Sequence, residues 1–431
     1  MRGVTLFVIM FNLAGVAFAQ TDGTSLEQSL EAIEDQVIAW RRDLHASPEL
    51  SNREFKTAEK MAAHLRSLGL DEVETGIAHT GVVGTLVGSQ PGPVIALRAD
   101  MDGLPVQERT GLPFASKAMG VYNGVEVPVM HACGHDAHMA MLMGAASVLA
   151  EHRDSLRGTV KFIFQPAEEG APTGEDGGAQ LMVREGVLDG PDAPEAIFGL
   201  HVWPLEHGAV HYRSGSLMAA ADSFTISIKG EQTHGSSPWL GVDPIHVATQ
   251  MVTAIQGIPS RHVDVTRGPA VITIGSIQGG VRGNIIPETV EMAGTIRTFD
   301  AGEREKLLAR MKSTVENIAE ANGAEAEFTV TFSVPVTGND PALLKAMLPS
   351  LEASVDKIQE TRVITGAEDY SFFEERIPGL FMLLGISDPG VAPGAAPSNH
   401  SPYFNVNEAT LIQGVRAHVA FAMNYAQQTG Q

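Results

Sequence analysis

Short, almost wholly apolar segments alternate with amphipathic helical segments through the first half of this chain. Apolar residues recur every three or four positions over residues 26–44 and again over 55–68, which predicts two helices. Strands are predicted at residues 81–87, 93–98, 159–164 and 196–202. These runs are apolar at successive positions, which is typical of strands buried on both faces of a largely parallel α/β sheet. Ligands of such sheets bind beyond the carboxyl ends of the strands.

The pattern changes near residue 221. Phe224, Ile226 and Ile228 alternate with polar residues and predict a half-buried strand. A helix, two strands, a helix and a strand follow up to residue 332, in the β-α-β-β-α-β order of ferredoxin-like folds. We therefore predict that residues 221–334 are inserted into an α/β domain made of residues 20–220 and 335–431, which ends in a helix over 407–427.

The first residues have the pattern of a signal peptide. Arg2 precedes an apolar run, and Ala17-Phe18-Ala19 is a small-x-small cleavage site, so we expect export to the periplasm or the medium after cleavage of residues 1–19. The alternative is a membrane anchor, but the run is short for a span of roughly 20 residues.

The charge of the chain argues against two classes of partner. Its 431 residues carry a formal net charge of −22, which disfavours binding to nucleic acid and to anionic membranes. The sequence has 1 cysteine, which excludes an internal disulfide.

The densest group of metal-ligating residues is the segment His131-Ala-Cys133-Gly-His135-Asp136-Ala-His138. A thiolate and imidazoles this close together suit a zinc, manganese, cobalt or nickel ion. Asp136 is placed to cap the helix predicted over 136–150. A Cys133–His135 nucleophile pair, or a buried cysteine beside capping residues, remain alternatives for this stretch alone.

Acidic residues follow two of the predicted strands. Glu168 and Glu169 come after strand 159–164, where neighbouring side chains point to different sides, so that one can bind a metal while the other acts as general base. The alternative is a solvated acidic loop. Asp100 and Asp102 follow strand 93–98, where a carboxylate can orient a ligand histidine.

Six segments, taken together and in order, resemble one family. They are ALRADMDGLP (96–105), HACGHDAH (131–138), FQPAEEG (164–170), GLHVWP (199–204), THGSSP (233–238) and NHSPYF (399–404). They are similar to the metal-dependent amidohydrolases that include hippurate hydrolase, aminoacylases and plant auxin-amino-acid conjugate hydrolases, within the aminoacylase and glutamate-carboxypeptidase group of dinuclear metallopeptidases. The resemblance covers residues 26–427.

The resemblance implies two divalent metal ions per subunit, with zinc, manganese, cobalt and nickel all admissible. It implies Glu168 as the general base and Asp102 as a residue behind a ligand histidine, while Asp100 is not expected to be a ligand. Taken alone, a histidine in an apolar strand or loop is more typical of the core. The implied ligands are Cys133, His135, Glu169, His201 and His400.

Residues 221–334 resemble the family's lid and dimerisation domain, which implies a homodimer or higher homo-oligomer. His234 is implied to stabilise the oxyanion, from the same chain or from a partner, after closure about hinges near 216–222 and 333–338. Asn284 is implied to contact substrate, or is a turn residue; Arg297 binds a substrate carboxylate or pairs with an acid.

The expected function is therefore hydrolysis of small N-acyl amino acids to a carboxylic acid and a free amino acid. The nearest alternative is a carboxypeptidase or dipeptidase with the same site. A non-catalytic metal-binding protein of the same fold and a metal-free cysteine hydrolase are alternatives of other classes.

Overall fold

The predicted alternation of helices and strands is present in the structure, a computed structural model that describes residues 23–392 and 394–430. The signal peptide predicted over residues 1–19 lies outside the described residues. Among the helices that are described, none is both long enough and apolar enough to span a bilayer. The helices are α1 (Gly23–His45), α2 (Phe55–Ser67), α3 (His135–Glu151), α4 (Gly178–Arg184), α5 (Pro244–His262), α6 (Ala301–Ala321), α7 (Pro341–Ser354), α8 (Ser371–Glu374) and α9 (Leu411–Thr429).

The strands belong to one large sheet, one sheet of four strands and three short ribbons. The first nine are β1 (Glu72–Ile77), β2 (Gly81–Val87), β3 (Gln90–Asp100), β4 (Met119–Tyr122), β5 (Val125–Pro128), β6 (Arg157–Gln165), β7 (Ala196–Trp203), β8 (Val210–Tyr212) and β9 (Gly215–Met218). The others are β10 (Ala220–Lys229), β11 (Thr233–His234), β12 (Ala270–Gly279), β13 (Ile285–Ile286), β14 (Thr289–Thr298), β15 (Glu325–Val334), β16 (Thr337–Asn339), β17 (Ile358–Glu360) and β18 (Gly379–Gly385).

The large sheet has the order β1-β2-β6-β3-β7-β18-β8-β17 and is mixed. Its centre is parallel, since β3 pairs in parallel with both β6 and β7, and β7 with β18. The prediction of a largely parallel sheet is wrong for the outer strands, because β1 and β2 are antiparallel, as are β2 and β6, and β18 and β8. The three-residue connection between β1 and β2 is too short for the crossover that a parallel pair needs.

Helices cover both faces of the large sheet. Along β3, Leu97 faces the core formed with α1, α3, α7 and α9, while Ala96 faces a smaller core formed with α4 and α8. Helix α3 is the central helix, and Gly144 lets its neighbours approach closely. A Cβ atom at Gly144 would lie 2.7 Å from Val37 Cγ2 and 3.0 Å from Val415 Cγ2. This packing fixes the first turn of α3 at the carboxyl edge of the parallel strands.

Residues 220–334 form the second unit of the chain. Its four-stranded sheet has the order β12-β14-β10-β15, and every pair of strands is antiparallel. The chain order β10-α5-β12-β14-α6-β15 gives the predicted ferredoxin-like arrangement. Phe224, Ile226 and Ile228 are buried against α5 and α6 in a separate hydrophobic core, which confirms the half-buried strand.

The two segments predicted as hinges lie side by side. Strand β9 pairs with β16 as a short antiparallel ribbon, so that the chain enters and leaves the second sheet at one place. That these segments bend stays a prediction.

Candidate metal centre

The side chains of the five residues implied as ligands meet beyond the carboxyl ends of β3, β6 and β7. His201 lies on β7, Glu169 follows β6, and Cys133 and His135 lie at the start of α3, beside the end of β3. His400 comes from the loop before α9, where its backbone N–H donates to the carbonyl oxygen of Ala132 at 2.8 Å. The topology thus gathers residues that are up to 267 positions apart in the sequence (400 − 133).

Two overlapping groups of ligand atoms share the Cys133 sulfur. One group contains Cys133, His135 and His201, the other contains Cys133, Glu169 and His400, and the atoms of each lie within 4.8 Å of one another. Cys133 Sγ is 3.4 Å from His201 Nε2, and His400 Nε2 is 3.0 Å from Glu169 Oε1. The two groups would hold two neighbouring divalent ions, and Cys133 belongs to both groups.

In two of the ligand histidines the ring nitrogen opposite the centre is held, which leaves the nitrogen that faces the centre available to a metal. His135 Nε2 is buried without a hydrogen-bond partner among the described residues, while its Nδ1 is bound to Asp102. We assign Nδ1–H to His201, because Nδ1 is 2.7 Å from the Val202 carbonyl oxygen, so that Nε2 keeps its lone pair. A set of nitrogen, sulfur and carboxylate donors suits borderline divalent ions such as zinc. The residues therefore fit a dinuclear metal centre.

Asp102 holds three parts of the centre in place. Its Oδ1 accepts from His135 Nδ1–H at 3.2 Å and from the backbone N–H of Glu168 at 3.1 Å. Its Oδ2 accepts from the Glu169 N–H at 3.1 Å and from the Ser51 hydroxyl at 2.7 Å. One buried carboxylate therefore fixes the tautomer of His135 and the backbone that carries both glutamates.

The centre is rich in buried negative charge. Burial disfavours a charged imidazole, but the carboxylates of Asp100 and Asp102 outweigh burial and raise the pKa of His135 to about 10. Burial, together with the carboxylates of Glu169 and Glu168, raises the pKa of the Cys133 thiol. A divalent ion would reverse this balance, because a thiol that binds a metal loses its proton.

Glu168 lies at the edge of the same cluster. Its Oε2 is 3.8 Å from His135 Nε2. Burial and the carboxylates of Glu368 and Glu169 raise the pKa of Glu168 well above its usual range. A buried carboxylate at the edge of the ligand cluster has the position that a general base needs.

The sequence analysis missed the acidic pair Glu368 and Asp369. Both bind the guanidinium of Arg98, which is buried in β3, at 2.9 and 3.3 Å, and Arg98 also binds Asp100 at 2.8 Å. Arg98 could have indicated that buried acidic residues were present, because a charged residue inside an apolar strand needs partners of opposite charge.

His138, the third histidine of the segment 131–138 that contains Cys133, is held by hydrogen bonds within the protein. Its Nδ1 is 2.6 Å from Asp100 Oδ1, and its Nε2 accepts from the Val202 N–H at 2.8 Å. Both ring nitrogens are therefore engaged, which leaves no atom for a metal.

The predicted capping role of Asp136 is wrong. Helix α3 begins after Gly134, whose φ of 93° is in the left-handed region, and no side chain caps it. Asp136 Oδ2 instead accepts from Arg41 Nε at 2.8 Å and lies 2.8 Å from His45 Nδ1. The buried cation on α1 is the stronger partner, since the carboxylate would otherwise be buried without a counter-charge.

The three remaining predicted residues lie in the second unit, away from the five ligands. His234 is exposed on β11, and its Nδ1 accepts from the Ser236 N–H at 3.1 Å. Asn284 is beside it, since its carbonyl oxygen accepts from the Gly235 N–H at 2.9 Å. Arg297 is half-buried on β14, and the only hydrogen bond recorded for its guanidinium in the described chain goes to the Ile296 carbonyl. Their catalytic and binding roles stay predictions.

Known proteins are similar in sequence to this chain over most of its length. The profile of Peptidase family M20/M25/M40 matches residues 96–424. Thermostable carboxypeptidase 2 of Saccharolobus solfataricus is 40% identical over 408 residues, which cover 94% of this chain and 98% of that protein. The N-acyl-L-amino acid amidohydrolase of Geobacillus stearothermophilus is 43% identical over 317 residues, which cover 73% and 81%.

A solved structure agrees with these sequence matches. A Bacillus subtilis protein described as a dinuclear metal binding peptidase from the M20 family superposes with a TM-score of 0.78 and 35% identity, over 92% of this chain and 99% of that one. The matched residues include the complete cysteine segment and all five residues of the candidate centre. The chain therefore belongs to Peptidase family M20/M25/M40.

Proposed function

We propose that this chain is a metal-dependent amidohydrolase that cleaves N-acyl amino acids into a carboxylic acid and a free amino acid. The observation that carries the proposal is the pair of ligand groups that share Cys133, with the Glu168 carboxylate beside them. The relatives named as an N-acyl-L-amino acid amidohydrolase and as a dinuclear metal binding peptidase support this reaction class.

Cys133, His135, Glu169, His201 and His400 would hold the two ions. Ions bound there supply a water of lowered pKa and polarise the scissile carbonyl. Glu168 accepts the proton of the attacking water and returns it to the amine that leaves. Asp102 keeps His135 in the tautomer with a free Nε2. Removal of a positioned acid–base group of this kind costs about 10²–10⁴-fold in rate.

His234 completes the site by donating a hydrogen bond to the oxyanion. Its exposure and its place beside Asn284 on the β11–β13 ribbon support this role, because an exposed imidazole is available to a substrate. It reaches the metal centre only when the second unit closes, within one chain or across a dimer, and we propose β9 and β16 as the hinge. Arg297 supplies a cation for the substrate carboxylate.

We also propose that the chain forms a homodimer through the second sheet. Strand β12 is an edge of that sheet in the described structure, and an edge strand offers unpaired backbone groups to a second copy. Ile277 on β12 is 54% exposed, and Ile245 on α5, which lies beside it, is 43% exposed. Light scattering of the purified chain tests this, with Ile277→Lys expected to give monomers.

Export is a further part of the proposal and rests on the sequence of residues 1–19. Amino-terminal sequencing of the protein recovered from cells tests it. A mature chain that begins near Gln20 supports export, and a chain that retains Met1 contradicts it.

Carboxypeptidase activity is the second candidate, because a relative that is 40% identical carries that name. A nucleophilic Cys133 is less well supported. Burial raises the pKa of its thiol, and the imidazole within hydrogen-bond distance of its sulfur in the described structure is that of His201, at 3.4 Å.

A substrate panel with two matched variants tests the proposal. N-acetyl amino acids should be hydrolysed faster than blocked dipeptides of the same amino acid, and the reverse order favours the carboxypeptidase. Glu168→Gln should keep both ions yet lose about 10²–10⁴-fold in kcat, whereas Glu169→Gln should lose metal. If Glu168→Gln loses metal and regains a near-normal rate after reconstitution, the two roles are reversed.

A further inference from the structure

A cleft of about 420 Å³ opens beside Glu169, and its described lining residues come from segments other than β7. Its floor is the segment that follows Asp102, and its opposite wall is the loop after Glu169. Ligand pockets of small-molecule enzymes have volumes of about 300–1,000 Å³, so the cleft is large enough for part of a substrate. Its apolar lining comes from Leu50, Leu104, Pro105, Val121, Tyr122 and Pro172.

The hairpin β4–β5 forms the roof of this cleft. Asn123 and Gly124 have φ angles of 50° and 78°, which is the left-handed pair typical of a tight two-residue hairpin turn. Thr173 Oγ1 lies 3.3 Å from Asn123 Oδ1 and ties the tip to the opposite wall. The tip of the roof is therefore tied to the opposite wall of the cleft.

The charges of the cleft indicate which part of a substrate it accepts. Its acidic group is Glu169, and its cationic group is Arg53, whose guanidinium is paired with Glu175 at 2.5 Å. Among the described lining residues, no cation is left unpaired. The described lining therefore offers no free cation to pair with the carboxylate of an amino acid, whereas an uncharged apolar group meets apolar walls.

Two of the lining residues are apolar and exposed. Val121 is 67% exposed and Tyr122 is 45% exposed, although both lie over a cleft that ends at a metal ligand. We propose that this cleft is the subsite for the acyl group of the substrate and that it selects aromatic or branched acyl groups over acetyl. The proposal rests on the amidohydrolase function given above and names the part of the substrate that the hairpin recognises.

The test compares acyl groups on one amino acid. For wild type and variants, kcat/KM is measured with N-benzoyl-alanine and N-acetyl-alanine. Val121→Asn removes an apolar wall and should lower the benzoyl-to-acetyl ratio about tenfold, the scale at which apolar pockets discriminate. Thr173→Trp fills the cleft and should lower the ratio further. Val125→Asn is the matched control, because Val125 is 62% exposed on the same hairpin and does not line the cleft.

The alternative occupant is the side chain of the amino acid. A second ratio, N-acetyl-phenylalanine to N-acetyl-alanine, distinguishes the two. If Val121→Asn lowers this second ratio and leaves the benzoyl-to-acetyl ratio unchanged, the acyl subsite is refuted. An unchanged pair of ratios in both cleft variants refutes it as well.

Failure of the proposed function gives a different result. A metal-loaded wild-type protein that hydrolyses none of these substrates refutes the amidohydrolase itself. The cleft is then tested by calorimetry with the acids benzoate and acetate. Tighter binding of benzoate in wild type, lost in Val121→Asn, supports the subsite. Equal binding of the two acids overturns it.

Discussion

Asp102→Asn is the substitution whose effect follows most directly from the geometry. The Asp102 carboxylate is 1% exposed and accepts four hydrogen bonds, two at each oxygen. An asparagine has one acceptor oxygen, so its NH₂ group must face two donors. If the NH₂ replaces Oδ1, His135 must present a bare Nδ1 to it, which places the proton on Nε2 and blocks the metal position.

The other orientation is therefore preferred. With NH₂ at the Oδ2 position, the Ser51 hydroxyl rotates to accept, and the Glu169 N–H loses its partner. A buried unpaired donor costs about 1–3 kcal/mol. In this orientation His135 keeps an oxygen acceptor, but the negative charge behind this ligand histidine and the bond that orients Glu169 are lost. Substitution of such outer partners costs about 10–100-fold in metal affinity, which is about 1.4–2.7 kcal/mol, and we expect a loss of this size for Asp102→Asn.

Competition with a chromogenic chelator measures this affinity for wild type and variant. Asp71→Asn is the matched control, because the Asp71 carboxylate also accepts a hydrogen bond from a backbone N–H, that of Val87 at 2.8 Å. Asp71 lies at the surface, where its other partner is Arg153 and not a residue of the metal centre. Metal affinity within threefold of wild type in Asp102→Asn would refute the positioning role assigned to this carboxylate.

Three further predictions follow from the same structure. Cys133 should resist alkylation when the protein holds its metals and react after chelation, as mass spectrometry can show; rapid alkylation of active, metallated protein would contradict metal ligation. Burial lowers the pKa of the His418 imidazole from 6.5 to about 4. Between these pH values the unfolded chain binds a proton at His418 that the folded chain does not bind. The free energy of unfolding should therefore fall by about 3 kcal/mol as the pH drops from 6.5 to 4. Urea unfolding should show a smaller fall in His418→Asn, and an equal fall would be contrary to this account. His234→Ala should lower kcat and kcat/KM together with metal content unchanged; activity recovered on mixing it with inactive Glu168→Gln protomers would place the histidine in trans, whereas a normal rate in folded His234→Ala would remove it from catalysis.

The sequence was sufficient to predict the elements with strong periodicity, and its resemblance to a family implied the five residues that the structure brings together. The parallel strands β3, β6 and β7 contain runs of successive apolar residues, and the alternation of Phe224, Ile226 and Ile228 marks the first strand of the ferredoxin-like unit. The short strands at one edge of the large sheet were not predictable in this way. Strands β8 and β17 have 3 residues each, which is too short for a period of two to be recognised.

The residues that the sequence analysis missed depend on long-range contacts. Glu368 lies 270 positions from Arg98 in the sequence, and only the packing of β3 against the loop before α8 brings the two together. Asp136 has the right spacing for a cap, but its partners Arg41 and His45 come from α1. Local spacing indicated Cys133 and His135 as possible ligands, the family resemblance implied the full set of five together with Asp102, and buried partners such as Glu368 are determined by tertiary packing.

The central claim is that hydrolysis depends on two ions held around Cys133. The direct measurement is a titration of chelator-treated protein with zinc or manganese, in which bound metal and the rate of N-acetyl amino acid hydrolysis are followed together. We predict that activity is lost on chelation and returns in proportion to metal, up to two ions per chain. Activity that survives complete removal of metal, or that is restored fully by an ion bound outside these five residues in a Cys133→Ala variant, would contradict the account.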